Sequence, residues 1–339
     1  MKHYNIPVFI SHFGCPNSCV FCNQRKINGR ETDVSCEDLK NIIEEYLETL
    51  PEEAIKEVAF FGGTFTGISM QLQEEYLKVV APYLAVKKVQ GIRLSTRPDY
   101  IDPEKIKLLK KYGVTTIELG VQSLDPEVLK QSKRWYEIEK VYNAVKLIKE
   151  AGIKVGTQVM IGLPGASYES DIETARAVVD LKPDLTRIYP TLVIKDTEMA
   201  EMFLNGEYDP LSLDEAIRRT KKIYSLFELS NINIVRVGLQ PSDDLRAEGN
   251  VLSGPFHPAF RELVEGEIYF EFLNKIKEIE NRLDVEANER NISKIIGIKG
   301  INKIKLGKEF KLKINNSLPL TQIKVNEKIY ERRDILLGA

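Results

Sequence analysis

Tyr4-Asn5-Ile6-Pro7-Val8-Phe9-Ile10 leads within five residues into Cys15-Pro16-Asn17-Ser18-Cys19-Val20-Phe21-Cys22. A short apolar, β-branched run thus ends in a loop that presents three thiolates in a Cys-x3-Cys-x2-Cys spacing. An iron–sulfur cube normally takes four cysteine ligands. A three-cysteine loop therefore leaves one iron open, the logic by which catalytic metal sites keep a free position. A second set of ligands is also present: His12 lies just upstream, and with Cys15, Cys19 and Cys22 it makes a closed tetrahedral zinc set.

The chain outside the loop narrows the class. At 339 residues and 43% hydrophobic composition it can bury a large core and hold one large domain plus a small one. No apolar stretch is long enough to span a bilayer, and Met1-Lys2-His3-Tyr4-Asn5 lacks the apolar core of a signal peptide, so a cytoplasmic protein without membrane contact is expected. Only Cys36 remains outside the loop, which argues against a disulfide framework. Net charge is −2 but unevenly spread: residues 291–339 carry eleven Lys and Arg against four Asp and Glu, a net +7, which leaves −9 for residues 1–290. A basic tail on an acidic body points to a polyanion partner or to a lysine-rich solvated surface.

Strand-like runs alternate with helical patterns up to about residue 240. The strands read are Tyr4–Ile10, Lys56–Phe61, Gly91–Leu94, Thr115–Leu119, Ile153–Ile161, Leu185–Tyr189 and Ile232–Val237. Helices are expected over Ser35–Leu50, Gln71–Leu84, Pro103–Lys111, Ile138–Ala151, Tyr168–Leu181 and Leu213–Leu229. The first opens on Ser35 with Asp38 three residues on, a capping box, and buries Leu39, Ile42, Ile43, Tyr46 and Leu47 on one face. Such alternation predicts an α/β fold with a parallel sheet, and six or seven units give a partial (βα)6-type TIM-like barrel rather than a closed one. In such barrels function gathers where strands end. Here the strand ends carry the cysteine loop, Gly62-Gly63-Thr64-Phe65, Ser95-Thr96-Arg97-Pro98-Asp99, Glu118-Leu119-Gly120-Val121-Gln122-Ser123, Gly162-Leu163-Pro164-Gly165 and Arg187-Ile188-Tyr189-Pro190.

Together these segments resemble the radical S-adenosylmethionine (radical SAM) superfamily, and more narrowly the radical SAM half of the Elongator catalytic subunit family, which modifies wobble uridines in transfer RNA. The closest matches also include Thr96-Arg97-Pro98-Asp99-Tyr100-Ile101 and Ile188-Tyr189-Pro190-Thr191-Leu192-Val193-Ile194, and the likeness covers about residues 5–265. The resemblance implies that Cys15, Cys19 and Cys22 hold a 4Fe-4S cluster, with Phe21 the aromatic residue before the last cysteine, and that the open iron chelates S-adenosylmethionine. It implies that Gly62 and Gly63 contact the methionyl amino group, with Thr64 of the cofactor site standing where many relatives have Glu, that Thr96, Arg97, Glu118 and Gln122 serve the ribose and carboxylate, and that Gly162 and Leu163 flank the adenine. One electron, from reduced ferredoxin or flavodoxin, would then yield a 5′-deoxyadenosyl radical that takes hydrogen from the substrate. Tyr189 and Lys195 are the candidates to face substrate. So is Gln158, which stands where the family usually has a His. The family's acetyltransferase domain has no counterpart of sufficient length here.

The basic tail carries its own pattern, in residues 281–339 beyond a connecting helix over 266–280. A strand at Arg282–Ala287, a helix at Ile292–Ile296, Gly297-Ile298-Lys299-Gly300, a helical stretch to about Phe310, and strands Lys311–Asn315 and Gln322–Tyr330 follow in order. That order is KH-like, with Gly-x-x-Gly clamping a nucleic-acid backbone and Lys299, Lys303 and Lys305 meeting phosphates. A plain helix–turn–helix with two glycine breaks fits the same residues. The expected function is a radical SAM enzyme acting on RNA, most simply tRNA. A small-molecule radical SAM enzyme of the coproporphyrinogen dehydrogenase kind and an RNA-binding protein with a structural metal are the alternatives.

Overall fold

The computed structural model describes residues 2–10, 15, 19–23, 34–239, 247 and 249–338. His12 lies outside them. Seven strands form one sheet: β1 (His3–Phe9), β2 (Ile55–Phe61), β3 (Gly91–Thr96), β4 (Val114–Gln122), β5 (Lys154–Ile161), β6 (Leu185–Pro190) and β8 (Asn233–Val237). Each is parallel to its neighbours. Between them run α1 (Cys36–Thr49), α2 (Met70–Ala85), α3 (Pro103–Lys111), α4 (Pro126–Gln131), α5 (Glu139–Glu150), α6 (Tyr168–Leu181), α7 (Glu198–Leu204) and α8 (Leu213–Leu229). A two-residue strand, β7 (Val193–Ile194), leaves the main sheet and pairs antiparallel with β9 (Val251–Ser253). The seven strands and six main helices lie within a residue or two of where the hydrophobic pattern places them, except that β4 runs three residues past Leu119, to Gln122.

Alternation along the strands explains why the sheet curls without closing. In β1, Ile6 and Val8 pack into the core that the helices cover, while His3, Asn5, Pro7 and Phe9 line the inner cavity. In β4, Ile117, Leu119 and Val121 are buried against the helices, with Gly120 and Gln122 inward. A closed eight-stranded barrel fills its interior with layers of branched apolar side chains. These inner faces instead carry Arg, Gln, Ser and Thr, which need partners and room.

The α1 cap forms as expected: the Ser35 hydroxyl accepts from the Asp38 amide at 3.1 Å and the Asp38 carboxylate accepts from the Ser35 amide at 3.0 Å. Tyr46 lies at the rim of the apolar face, 36% exposed.

Helix α9 (Phe260–Glu280) begins earlier than the connecting helix read from sequence, and leads into β10 (Leu283–Ala287), α10 (Ile292–Ile296), α11 (Ile301–Leu306), β11 (Phe310–Ile314), β12 (Gln322–Val325), β13 (Lys328–Glu331) and α12 (Arg332–Gly338). The small sheet has the order β11-β10-β12-β13, with β10 parallel to β11 and antiparallel to β12. Two expectations are corrected. The second helix of the tail stops at Leu306, because Gly307 takes φ 80°. The single strand Gln322–Tyr330 is a hairpin, turned at Asn326 and Glu327 with φ 47° and 71°. Asn tolerates that left-handed region, and the Asn326 side chain fixes the turn by accepting from the Asp284 amide and donating to the Arg282 carbonyl, both at 2.8 Å.

The tail does not have a core of its own. One apolar cluster runs from Val159, Ile188 and Val237 of the barrel through Val264, Ile268 and Phe272 of α9 to Val285, Ile323, Val325 and Ile335. Arg332 reaches back to α8 in a two-pronged pair with Glu228, at 2.9 and 3.0 Å.

Beneath the cavity, Glu118 is fully buried and shared by two arginines: Arg93 donates to it at 2.8 Å and Arg187 at 2.9 Å. Gly156, its register partner on β5, makes the space, since a Cβ there would come within 2.8 Å of the Glu118 side chain. Removing one member of a buried ion cluster typically costs about 3–5 kcal/mol because it strands the remaining charge. Glu118→Ala is therefore expected to lower unfolding stability by about that much in urea denaturation. Glu104→Ala, on the exposed start of α3, is expected to change it by less than about 0.5 kcal/mol.

Candidate active site

A cavity of about 800 Å3 fills the inside of the curl. The three cysteines of the N-terminal loop line it, together with the inner face of β1 along its length, inward residues of the middle and C-terminal parts of β2 to β6, and the middle of β8.

Residues far away in sequence hold the loop. The Val20 amide donates to the Ser132 carbonyl at 3.2 Å, and the Met199 amide donates to the Val20 carbonyl at 2.8 Å. Phe21 packs on a small cluster of Val20, Val193, Met199 and Tyr208. Side chains also reach the sulfurs of Cys15 and Cys19. The Thr64 hydroxyl donates to the Cys15 sulfur and the Arg134 guanidinium to the Cys19 sulfur, both at 3.4 Å. Arg134 is 5% exposed, and a second nitrogen of its guanidinium donates to the Gly120 carbonyl. Burial disfavours its charge, yet the neighbouring Tyr136 and Cys19 hold its pKa above the ordinary arginine value. The Tyr136 ring faces two cations, with Arg134 at 5.3 Å and Arg97 at 5.6 Å.

The floor is a charge network. Besides Glu118, Arg93 pairs with Glu57 at 2.9 Å, and Glu57 also meets His3 at 3.0 Å and the Thr115 hydroxyl at 2.9 Å. Burial pushes both carboxyls up, but Arg187 and Arg93 around Glu118, and Arg93 beside Glu57, bring each below the usual range. Both stay ionised at neutral pH.

Among the described residues, ten buried side-chain polar atoms lack a hydrogen-bond partner, and five of them belong to residues lining this cavity. They are Asn5 Oδ1, Ser95 Oγ, Arg97 Nη1, Gln122 Oε1 and Arg134 Nε. A buried polar group left unpaired costs about 1–3 kcal/mol. Half of that burden sits here, as expected of a pocket shaped for a polar ligand. Gln122 further takes φ 66°, a left-handed conformation that non-glycine residues adopt at a cost and that recurs in ligand sites.

Two family models match the chain: the radical SAM superfamily over residues 9–178 and the radical SAM C-terminal domain over residues 183–269. The chain belongs to the radical SAM superfamily. It is 31% identical over 254 residues to a tRNA uridine(34) acetyltransferase of Methanocaldococcus infernus, covering 62% of this chain and 47% of that protein. It is 32% identical over 229 residues to an uncharacterized protein of Methanocaldococcus jannaschii, covering 64% and 69%. Among solved structures, the archaeal Elp3 of M. infernus with an N-terminal deletion superposes with a TM-score of 0.62 at 25% identity, over 83% of this chain and 64% of that one. The chain thus spans about half the length of the first of these curated relatives.

Membership in the superfamily implies S-adenosylmethionine and a 4Fe-4S cluster. The residues present fit both groups: three cysteines open on one cavity, two with hydrogen-bond donors already at sulfur, and Arg97 offers an unused donor in the same wall. No three His, Cys, Asp or Glu side chains among the described residues gather around a single-ion site. A cube holds its cysteines on separate corners, so it does not require such a gathering.

Of the residues singled out in sequence, Cys15, Cys19, Cys22, Phe21, Gly62, Gly63, Thr64, Thr96, Arg97, Gln122, Gln158 and Tyr189 line the cavity. Four do not. Glu118 lies below the floor with its carboxylate committed to arginines, so any contact it makes with a ligand runs through Arg93 or Arg187. Gly162 gives its carbonyl to the Tyr208 hydroxyl at 2.6 Å, and Leu163 is 2% exposed. Lys195 is exposed on the loop after β7. Arg93, Arg134, Arg187 and Arg236 were not among the site residues expected from sequence. Arg93, Arg187 and Arg236 carry a signal that was there to read, a charge on the inner face of a parallel strand. Arg134 carries none, since its target is 115 residues away.

Alanine at Cys15, Cys19 or Cys22 is expected to abolish cluster assembly, whereas Cys36→Ala, on α1 away from the cavity, retains it. Iron content and visible absorbance after anaerobic reconstitution check this, and equal iron in all four variants would contradict it.

Proposed function

We propose that the protein is a cytoplasmic radical SAM enzyme that modifies RNA, with tRNA as substrate and reduced ferredoxin or flavodoxin as the electron source. The observation that carries the reading is the three-cysteine loop, open on a large polar cavity, in a chain whose named relatives act on uridine 34 of tRNA. Those relatives are named for acetyl transfer by the whole protein, and the shared segment is the radical SAM part, so the proposal is confined to radical chemistry.

When bound, the cluster and S-adenosylmethionine supply a one-electron reductive cleavage that produces a carbon radical able to take hydrogen from the substrate. The chain's own residues position and shield. Cys15, Cys19 and Cys22 hold the cluster, while Thr64 and Arg134 donate to sulfur and so counter its negative charge. Arg97, Gln122 and Ser95 offer the polar groups to orient the cofactor, and Gly62, at φ 88°, makes the turn after β2 that brings backbone to the cavity wall. Tyr189 and Gln158 face the space left for the substrate. Free thiols and an oxygen-sensitive centre belong in a reducing compartment, which supports the cytoplasmic placement.

The tail supports RNA as the substrate class. Its strand–helix–Gly-x-x-Gly–helix–strand order is present, Gly297, Lys299 and Gly300 all take positive φ, and the Lys299, Lys303 and Lys305 side chains are exposed. Ile304, 73% exposed among them, adds an apolar spot suited to a base.

Two measurements test the proposal. Reconstituted protein reduced with dithionite in the presence of S-adenosylmethionine is expected to form 5′-deoxyadenosine. A colourless, zinc-bearing protein that forms none would end the catalytic reading. Filter binding at low salt is expected to show affinity for tRNA that falls about tenfold or more in Lys299→Glu with Lys303→Glu. Unchanged affinity in that double variant would remove the tail from RNA binding.

A further inference from the structure

Five arginines among the described residues line the cavity; three of them have a carboxylate partner there and a fourth meets a cysteine sulfur. Arg93 has Glu57 and Glu118, Arg187 has Glu118, Arg97 is gripped at two points by Asp99 at 2.9 and 3.0 Å, and Arg134 meets the Cys19 sulfur. Arg236 is the exception. Its Nε donates to the Gly238 carbonyl at 3.3 Å, and neither terminal nitrogen has a partner among the described residues.

The position of Arg236 makes that costly. It is half-buried on β8, where it is the register partner of Arg187 on β6, so two guanidiniums stand side by side on the inner face. Among the described residues only Arg187 has its charge answered. Burial, with Arg187 and Arg261 nearby, holds Arg236 below the ordinary arginine pKa, yet an arginine does not lose its proton in a protein. A half-buried, permanently charged fork without a counter-charge is rare unless something else brings one.

The surroundings define what that is. Tyr189 presents an aromatic ring on the adjacent strand, and Leu192, Ile194 and Leu239 give an apolar wall. A planar cationic fork next to an aromatic face and an apolar surface matches a nucleotide, with phosphate on the fork and base against the ring. The cysteine loop is seated close to this wall, on Val193, Met199 and Tyr208, but the donors to its sulfurs are Thr64 and Arg134, and Arg97 offers its free nitrogen in the same cavity. Arg236 is therefore spare for the substrate.

We propose that Arg236 forms an anion subsite inside the half-barrel that binds a phosphate of the substrate nucleotide and seats its base beside Tyr189. This rests on the RNA reading above and narrows it: the nucleotide to be modified enters the cavity with its own phosphate, not as a base alone.

The test uses the reconstituted full chain with S-adenosylmethionine, and compares equilibrium dialysis of uridine 3′,5′-bisphosphate with that of uridine. The bisphosphate is expected to bind at least about tenfold more tightly. Arg236→Gln should remove that advantage while leaving uridine binding within about twofold, and Arg236→Lys, which keeps the charge without the fork, should restore part of it. Equal affinities for bisphosphate and uridine in the unmodified protein would overturn the proposal with no variant needed. So would a loss in Arg236→Gln that appears in S-adenosylmethionine binding instead, since Arg236 would then serve the cofactor. Bisphosphate affinity indifferent to Arg236 would overturn the subsite alone. Affinity for citrate that depends on Arg236, with none for the bisphosphate, would overturn the nucleotide ligand and the RNA reading together.

Discussion

The interior of this half-barrel depends on one carboxylate. Glu118 has no exposed surface, and an isolated charge at such a depth would neutralise rather than persist. It persists because guanidiniums from β3 and β6 converge on it from either side, and because Gly156 on the neighbouring strand leaves the volume it occupies. The pairing ties β3, β4 and β6 together through side chains, across the Gly156 of β5, as well as through the backbone ladder. It also sets the character of the space above. Arg93 and Arg187 are fixed in orientation before any ligand arrives, in a setting where desolvation makes electrostatic interactions stronger than in water.

The cysteine loop depends on the same body for its shape. It has little local structure among its described residues beyond a turn from Cys19 to Cys22, whose backbone groups bond at 2.9 Å. Its anchors are Ser132, Arg134 and Met199, which arrive from two later strand–helix connections. With a cluster held on these sulfurs, the donors at Cys15 and Cys19 would act on electronics as well as position. Hydrogen bonds to cluster sulfurs, and a buried cation beside one of them, favour the more negative reduced state and are recognised levers on potential. Tyr136 couples the two cations of this wall, since Arg97 and Arg134 both pack on its ring, and its hydroxyl is spent on the Val121 carbonyl at 2.6 Å. Movement of either arginine is therefore felt by the other.

How much of this could be read from sequence follows the range of the forces involved. The strands and helices were legible because their signals are local: apolar periodicity, a Ser35 cap, glycines after strands. The curl was legible only by counting units. The inner face was harder, because buried parallel strands usually read as continuous apolar runs, and Arg93, Glu118, Arg187 and Arg236 look like interruptions of a strand until the sheet is seen to have a polar inside. Glu118 was singled out from a motif, and its motif is present, but its partners lie 25 and 69 residues away and no spacing rule reaches them. The Asn326 turn was missed for a smaller reason: its dipeptide lacks the glycine that usually marks a hairpin, and the side-chain bonds that make up for that come from Arg282 and Asp284.

Charge along the chain reads differently once the packing is known. A tail of +7 beside a body of −9 suggests two modules of opposite field, but at physiological salt such fields fade within about 8 Å. What matters is where the lysines are held. The tail shares its core with β5, β6, β8 and α9, Phe272 meets Tyr330 edge-on at 5.1 Å, and Arg332 is locked to Glu228. Lys299 and Lys303 are thus presented on a surface fixed to the same core that supports β6 and β8, the strands carrying Tyr189 and Arg236. A polyanion gripped at the tail would not have to search for the cavity as an independent partner; its modified residue would be delivered at an effective concentration set by the fold.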